Sequence, residues 1–309
     1  MKNVQDYYSF VDLLELDDAT ASTIPAMLAG THKFYRIFQI PKRAGGFRKI
    51  SSPYPSLALV QRKILEKILL DFDVHSNAFA YKKKSNAVLH AACHVKNDEL
   101  LILDIQDFFP SISRQMIFES LQQGGIKNEI CGFISSLCSS DSGLPQGAST
   151  SPILSNIIFK NLDDRFLRLA RSLNLVYSRY ADDLAFSGDR IPRSLPNIVE
   201  HILKSKNFNL NKSKTKLKIA GSKKIITGVS ISRKVLMAPK QFKRKLRAQI
   251  YEIEKFSENL SGISNLDPFV YERVLGRINY LLQIEPANEF ALEKKRFLSA
   301  RHQDFLALI

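Results

Sequence analysis

The chain has 309 residues and 45% hydrophobic content, enough to bury a sizeable core in one to two packed domains. Lys and Arg number 45 against 30 Asp and Glu, a net charge of +15. No apolar run is long enough to span a membrane, no signal-type core stands at the N-terminus, and Cys93, Cys131 and Cys138 lack paired metal spacing and suit a reducing compartment, so the protein reads as cytoplasmic.

Residues 1–30 read as one or two short helices. Residues 34–40 alternate as a strand, Pro41 to Gly46 form a turn, and 47–50 return, giving a basic hairpin that carries Lys42 and Arg48. Residues 55–72 are amphipathic, with Leu57, Leu59, Val60, Ile64, Ile68 and Leu69 on one side. Residues 86–95 read as a helix. The apolar strand Leu100-Leu101-Ile102-Leu103 then runs into Asp104, and helices follow after Pro110 and over 130–138. Gly143-Leu144-Pro145-Gln146-Gly147 breaks the chain sharply. The next helix runs to about Leu173, with Ser151 as its N-cap and Pro152 at its first position. Leu175-Val176-Tyr177 and Leu184-Ala185-Phe186 are strands around a tight turn, Tyr180-Ala181-Asp182-Asp183. A helix over 195–206 and strands over 216–219 and 224–231 follow. About three helices from Gln241 onward, broken near 260–267 and 284–287, complete the chain, with no internal repeat.

The charge is concentrated. Residues 204–247 hold fifteen Lys and Arg and no acid, and the remainder balances at thirty of each sign. Short charge runs are usually solvated faces. A run this long beside a candidate metal site better fits a nucleic-acid track. Within it, 233–247 interleaves seven basic residues with Val235, Leu236, Met237, Phe242 and Leu246, as a helix does when one face is core and the other lies on a duplex.

A lone Asp-Asp pair is usually a solvated turn. Asp182 and Asp183 sit between apolar strands, however, and Asp104 ends a third such strand. Three carboxylates at the ends of adjacent strands suit two divalent ions and in-line phosphoryl transfer. Successive residues on a strand point to opposite faces, so Asp182 and Asp183 converge only if the turn bends them.

Three motifs in order carry a resemblance. These are Asp104-Ile105-Gln106-Asp107-Phe108-Phe109-Pro110-Ser111-Ile112, Leu144-Pro145-Gln146-Gly147-Ala148-Ser149-Thr150-Ser151-Pro152, and Tyr180-Ala181-Asp182-Asp183. Together they resemble the palm motifs of reverse transcriptases. Asn86-Ala87-Val88-Leu89-His90 resembles the N-A-x-x-H element of bacterial retron enzymes, and Ile226-Thr227-Gly228 stands where those carry Val-Thr-Gly. The resemblance implies an α+β right hand. Residues 1–98 are then the N-terminal helices and fingers, 99–232 the palm with a fingers insertion at about 110–143, and 233–309 a helical thumb. It implies an RNA-directed DNA polymerase using two Mg²⁺ ions and deoxynucleoside triphosphates on a structured non-coding RNA. Priming from an RNA 2′-OH would give branched multicopy single-stranded DNA, in anti-phage defence with a separate toxic effector. No RNase H domain fits this length, so template trimming falls to a host enzyme. Group II intron-like or diversity-generating reverse transcriptases, or a non-catalytic RNA-binding scaffold on the same fold, are the alternatives.

By the same resemblance, Asp104, Asp182 and Asp183 are catalytic, and they hold the metal with Ile105. The nucleotide site is Arg48, Asp107, Phe108, Phe109, Gln146 and Lys214. Phe109 is the gate that excludes a ribose 2′-OH, although either Phe108 or Phe109 must be core. Arg48 is the candidate for gripping the triphosphate in bidentate fashion, with general template contact as its other reading. Lys214 protonates the departing pyrophosphate unless Lys212 or Lys216 takes that role. RNA-binding residues are Asn86, His90, Thr227, Gly228, Lys240, Lys243, Arg244 and Arg247. His90 and His94, four apart on a helix, lack a convincing third ligand and are not read as a metal clip; the resemblance gives His90 a structural or RNA-contacting role, and His94 reads equally well as a satisfied core histidine.

Overall fold

The structure, a computed structural model, describes residues 6–42, 45–257, 267 and 269–306. The chain divides into two units, one of residues 1–85, 101–186 and 191–216, the other of 86–100, 187–190 and 217–309.

The first unit opens with three short helices, α1 (Tyr7–Leu14), α2 (Asp18–Ala21) and α3 (Ile24–Ala29). Asp6 starts α1 with a capping box, its carboxylate accepting from the Ser9 amide. Strands β1 (Tyr35–Pro41) and β2 (Phe47–Pro53) form the basic hairpin, with Ile40 opposite Arg48. Of the turn expected over 41–46, residues 43 and 44 lie outside the described residues. Helix α4 (Pro55–Lys67) buries Leu57, Val60 and Ile64, as their spacing requires. It ends five residues earlier than the sequence suggests, and Leu69–Asp71 continue as a tighter 3-10 turn.

Helix α5 (Ala87–Ala92) belongs to the second unit, and strand β3 (Glu99–Asp104) follows it. Nearly every side chain of β3 is buried, which explains its continuous apolar run. Helices α6 (Arg114–Gln123), α7 (Asn128–Cys138) and α8 (Ser151–Ser172) come next, then the hairpin strands β4 (Val176–Tyr180) and β5 (Asp183–Gly188). After α9 (Leu195–Lys204) and β6 (Lys216–Lys218) the sheet is complete, in the order β4-β5-β3-β6. Phe108, Phe159, Phe166, Tyr177, Phe186 and Phe208 interlock in the core of the first unit. The N-cap of α8 is Thr150, not Ser151, because the Ser151 hydroxyl is spent on the Pro145 carbonyl at 2.7 Å.

In the second unit the single strand expected over 224–231 is instead a tight hairpin of β7 (Ile225–Ile226) and β8 (Val229–Ser230). Thr227 (φ 45°) and Gly228 (φ 81°) make its turn, and a two-residue hairpin loop needs just this left-handed backbone. Helices α10 (Lys240–Ser257), α11 (Val270–Ile284) and α12 (Glu289–Leu306) complete the chain. The break expected near 260–267 falls outside the described residues except for Asp267.

Candidate active site

Every residue expected at the catalytic and nucleotide sites lies in the first unit. Asp104 ends β3, and the β4–β5 turn lies against it, with the Ile105 amide donating to the Asp182 carbonyl at 2.9 Å. The bend is made by Ala181, whose φ is 57°. That left-handed residue takes Asp182 out of the strand alternation in the turn, while Asp183 opens β5, so the two adjacent acids need not point to opposite faces. Asp182 and Asp183 are half-buried and Asp104 is buried.

The electrostatics follow from this crowding. Burial, then the charges of Asp182 and Asp104, push the Asp183 carboxyl up to about 7. Burial and the Asp104 charge likewise raise Asp182. Lys214 Nζ donates to Asp104 Oδ2 at 2.8 Å, and this bond and the neighbouring acids raise the ammonium above its ordinary value. Lys212 instead faces Glu200 at 3.5 Å, so of the two lysines it is Lys214 that meets the acids. Lys216 on β6 acts on Asp183 through its charge alone.

Asp182 and Asp183, whose charged forms burial and the charge of Asp104 disfavour, suit a hard divalent cation beside Asp104. Among the described residues, no three acids, histidines or cysteines are grouped to hold a metal. The Lys214 ammonium occupies the place of a counter-charge. Ile105 is buried and its amide donates to the Asp182 carbonyl.

Phe108 and Phe109 part ways in the turn that follows β3. Phe108 is 3% exposed, with its ring 5.5 Å from that of Phe159. Its side chain is core, which corrects its inclusion in the nucleotide site. Phe109 is half-buried, with its ring 6.2 Å from that of Tyr81. Tyr81 is a site neighbour that the sequence did not single out. It has a φ of 61°, and burial and the Asp182 charge raise its hydroxyl pKa. Asp107 is exposed, with a φ of 45°, and its carbonyl accepts from the Ser111 amide.

Gln146 is held by its backbone, its carbonyl accepting from the Ser51 amide at 2.8 Å. The next residue, Gly147, has a φ of 134°, and a Cβ there would stand 2.7 Å from the Ser51 carbonyl oxygen. Only glycine allows the loop to lie this close to β2. Arg48, exposed on β2, acts through its charge on both Asp182 and Tyr81, which puts it within electrostatic reach of the acidic turn.

The second unit brings the expected RNA-binding residues 86, 90, 227 and 228 together, in a way that changes their roles. Asn86 caps α5, its Oδ1 accepting from the Val88 and Leu89 amides at 2.9 Å each. Thr227 Oγ1 donates to the Ala87 carbonyl at 3.0 Å and stands 3.3 Å from His90 Nδ1. His90 has no exposed surface, so its ring cannot contact RNA, and the expected contact is corrected to a packing role. His94 Nδ1 meets Ser187 Oγ at 2.6 Å, and Asn97 donates to the same oxygen. A β-branched residue at positive φ is strained by about 1–3 kcal/mol, and the bonds of Thr227 to α5 offset that. Gly228 remains exposed at the turn tip.

On α10, Lys240, Arg244 and Arg247 are exposed along one face. Lys243 lies beside that face, three residues after Lys240 and four before Arg247, but is used differently. It is half-buried and donates to Glu285 at 3.0 Å. Burial pushes the Glu285 carboxyl up, but the Ala238 amide, Lys243 and Asn288 outweigh it and hold it below the usual range.

Residues 40–266 match the reverse transcriptase (RNA-dependent DNA polymerase) family. The chain belongs to the reverse transcriptase family. It is 27% identical over 293 residues to the retron Mx162 reverse transcriptase of Myxococcus xanthus, covering 83% of this chain and 59% of that protein. It is 28% identical over 259 residues to the retron Ec86 reverse transcriptase of Escherichia coli, covering 80% of this chain and 81% of the relative. The chain thus spans less than two thirds of the Myxococcus relative. The structure is similar to apo telomerase from Candida tropicalis, with a TM-score of 0.52 at 14% identity, covering 87% of this chain and 59% of that one. The shared fold is the α+β right hand of polymerases, as the three-motif order implies. The family's chemistry uses a divalent cation. No helix among the described residues is long and apolar enough to cross a membrane.

Proposed function

We propose that this reverse transcriptase is an RNA-directed DNA polymerase of retron type, making branched single-stranded DNA on a dedicated non-coding RNA. The observation that carries the polymerase reading is the approach of Asp104, Asp182 and Asp183 within one unit, with Lys214 on Asp104 and the charge of Arg48 felt at Asp182. The likeness to retron enzymes and the joining of Asn86-Ala87-Val88-Leu89-His90 to Thr227-Gly228 support the retron type.

In this reading Asp104, Asp182, Asp183 and the Ile105 carbonyl hold two Mg²⁺ ions. When bound, these supply a lowered pKa for the primer hydroxyl and charge stabilisation on the leaving pyrophosphate. Arg48 grips the triphosphate of the incoming nucleotide. Phe109, with its flank open to Tyr81, closes the space a 2′-OH would need. The Pro145-Gln146-Gly147 loop, fixed on Ser51, sets the Gln146 side chain against nucleotide or template, and Asp107 lies on the same loop as the gate. Lys214, kept protonated by the acids, delivers a proton to the pyrophosphate oxygen as it leaves.

Residues 1–98, 99–232 and 233–309 serve as fingers, palm and thumb. Lys240, Arg244 and Arg247 track RNA phosphates, and the exposed Gly228 tip meets the RNA by its backbone. Priming from an RNA 2′-OH, a cytoplasmic location, a partner effector protein and a role in anti-phage defence complete the proposal.

The test is the nucleic acid that the protein holds. Protein purified from its native host is stripped, and the DNA is treated with ribonuclease and then with a 2′,5′-debranching enzyme. Single-stranded DNA whose mobility shifts on debranching is expected. DNA with only ordinary 3′,5′ linkage would overturn the retron reading and leave the polymerase reading standing. Absence of DNA synthesis on any primed RNA would overturn both.

A further inference from the structure

The first unit buries one complete ion pair. Arg179 on β4 and Asp163 on α8 both have no exposed surface. Arg179 Nε and Nη2 donate to the two Asp163 oxygens at 2.9 and 2.7 Å, and the Tyr177 hydroxyl donates to Asp163 Oδ1 at 2.6 Å. The guanidinium carbon stands 4.7 Å from the centroid of Phe159, a core ring. Such a pair is weak support for stability. Desolvating both charges costs about what their attraction returns, and apolar replacements of similar volume are often neutral. Its presence calls for a geometric reason.

That reason lies in the remaining arm. Arg179 Nη1 donates to the Ala181 carbonyl at 3.1 Å. Ala181 is the residue whose left-handed backbone, φ 57°, makes the turn that holds Asp182 and leads into Asp183 at the start of β5. Alanine has no intrinsic preference for that conformation, so something outside the turn must hold it. The backbone of Arg179 is fixed as well, its amide donating to the Asn77 carbonyl and its carbonyl accepting from the Phe79 amide, both at 2.8 Å. The Asn77 side chain donates to the Tyr177 carbonyl at 2.6 Å. The Arg179 guanidinium therefore links α8 to the acidic turn through one planar, rigid group, while its backbone ties β4 to the 77–79 segment. A lysine would keep the backbone ties but could not reach Asp163 and the Ala181 carbonyl at once.

We infer that the buried Arg179–Asp163 pair is a positioning device for polymerisation, holding the Ala181 bend so that Asp182 and Asp183 face Asp104. The inference rests on the polymerase reading above. Neither Arg179 nor Asp163 touches substrate, and their effect passes through the turn.

The test replaces the whole buried polar group with apolar residues of similar volume, Tyr177→Phe, Asp163→Leu and Arg179→Met together, in the full chain. Four quantities are measured: thermal midpoint, template–primer affinity, kcat and KM for a deoxynucleotide, and Mn²⁺ affinity of the free protein by electron paramagnetic resonance. The expected result is a folded protein with near wild-type KM and template–primer affinity, whose kcat falls about 10²-fold, the loss that follows a misplacement of about 1 Å. Mn²⁺ affinity is expected to fall by about tenfold, since the carboxylates that bind the ion as hard ligands lose their alignment. A role in folding alone would move the midpoint and leave kcat per folded molecule intact. Wild-type kcat, or wild-type Mn²⁺ affinity, in the folded triple variant overturns the inference. If the triple variant does not fold, Arg179→Lys decides. It keeps the charge beside Asp163 but loses the arm to Ala181, and an unchanged kcat there is equally fatal. Wild-type and Asp182→Asn proteins run alongside. Inactive wild type refutes the polymerase reading, whereas active wild type, inactive Asp182→Asn and a fully active triple variant refute only the positioning role.

Discussion

Phe109→Val should open the nucleotide site to ribonucleotides, and Phe108→Ala should not. The two rings are neighbours, 5.6 Å apart, yet they do different work. Phe108 is 3% exposed and packs on Phe159 and Phe208. Emptying its place costs about 3–5 kcal/mol in stability, the usual loss for Phe→Ala in a core. Phe109 is half-buried, with one flank toward Tyr81, and trimming it to valine removes ring atoms from an accessible surface. Its effect on folding should be near the ordinary mutational mean of about 1 kcal/mol. Its effect on substrate choice should be larger. A pocket that rejects one added hydroxyl by shape alone discriminates by about 10²-fold, and that ratio should collapse toward one when the bulk is removed. The assay is single-nucleotide incorporation opposite one template base, with kcat/KM for the deoxy- and ribonucleotide, beside a thermal melt of each variant. An unchanged sugar ratio in Phe109→Val, or a relaxed ratio in a folded Phe108→Ala, would refute the assignment.

Two further outcomes follow from the second unit. Reversing charge at Lys240, Arg244 and Arg247 should weaken RNA binding and lower the log–log salt slope by about one unit per lost phosphate contact. Lys243→Glu should instead lower the thermal midpoint, because it sets two carboxylates together at Glu285. Equal salt slopes before and after the triple reversal would count against a nucleic-acid face. The second outcome concerns pH. Burial holds His90 down to about 3 and His94 to about 4, against 6.5 when unfolded. The unfolded chain therefore binds protons that the fold refuses. Stability is full above about pH 6.5 and falls as the pH drops through about 4 to about 3, where His94 and then His90 take up their protons in the fold. Denaturant midpoints across this range check it, and a His90→Gln, His94→Gln double variant with the wild-type pH slope would contradict it.

Much of the site could be read from residue order. Asp104 was legible because an apolar strand runs into it, and the Tyr180–Asp183 turn because two such strands flank it. Gly147 was legible as a backbone need, although only the structure shows that Ser51 is what comes close. The misreadings have a common cause: side-chain partners distant in sequence decide the role. Lys243 looked like one more basic residue of 233–247, and Glu285 withdraws it from the surface. His90 looked available to RNA until Thr227, 137 residues away, was found beside it. The 224–231 strand was mistaken because Thr227, a β-branched residue, sits at positive φ against its own preference. Tyr81 and the Arg179–Asp163 pair gave no periodic or motif signal, since each acts through a tertiary contact.

The central claim is that Asp104, Asp182 and Asp183 form the catalytic centre of a DNA polymerase working on RNA. Single-turnover extension of a primed RNA by the wild type and by Asp182→Asn, with RNA affinity and thermal midpoint measured on the same samples, tests it most directly. The account predicts deoxynucleotide addition by the wild type that depends on a divalent cation. It predicts a rate for Asp182→Asn lower by about 10³-fold or more. RNA affinity should be unchanged, and the thermal midpoint no lower, because the substitution removes a half-buried charge that burial and Asp104 already disfavour. Extension by Asp182→Asn at near the wild-type rate would contradict the account.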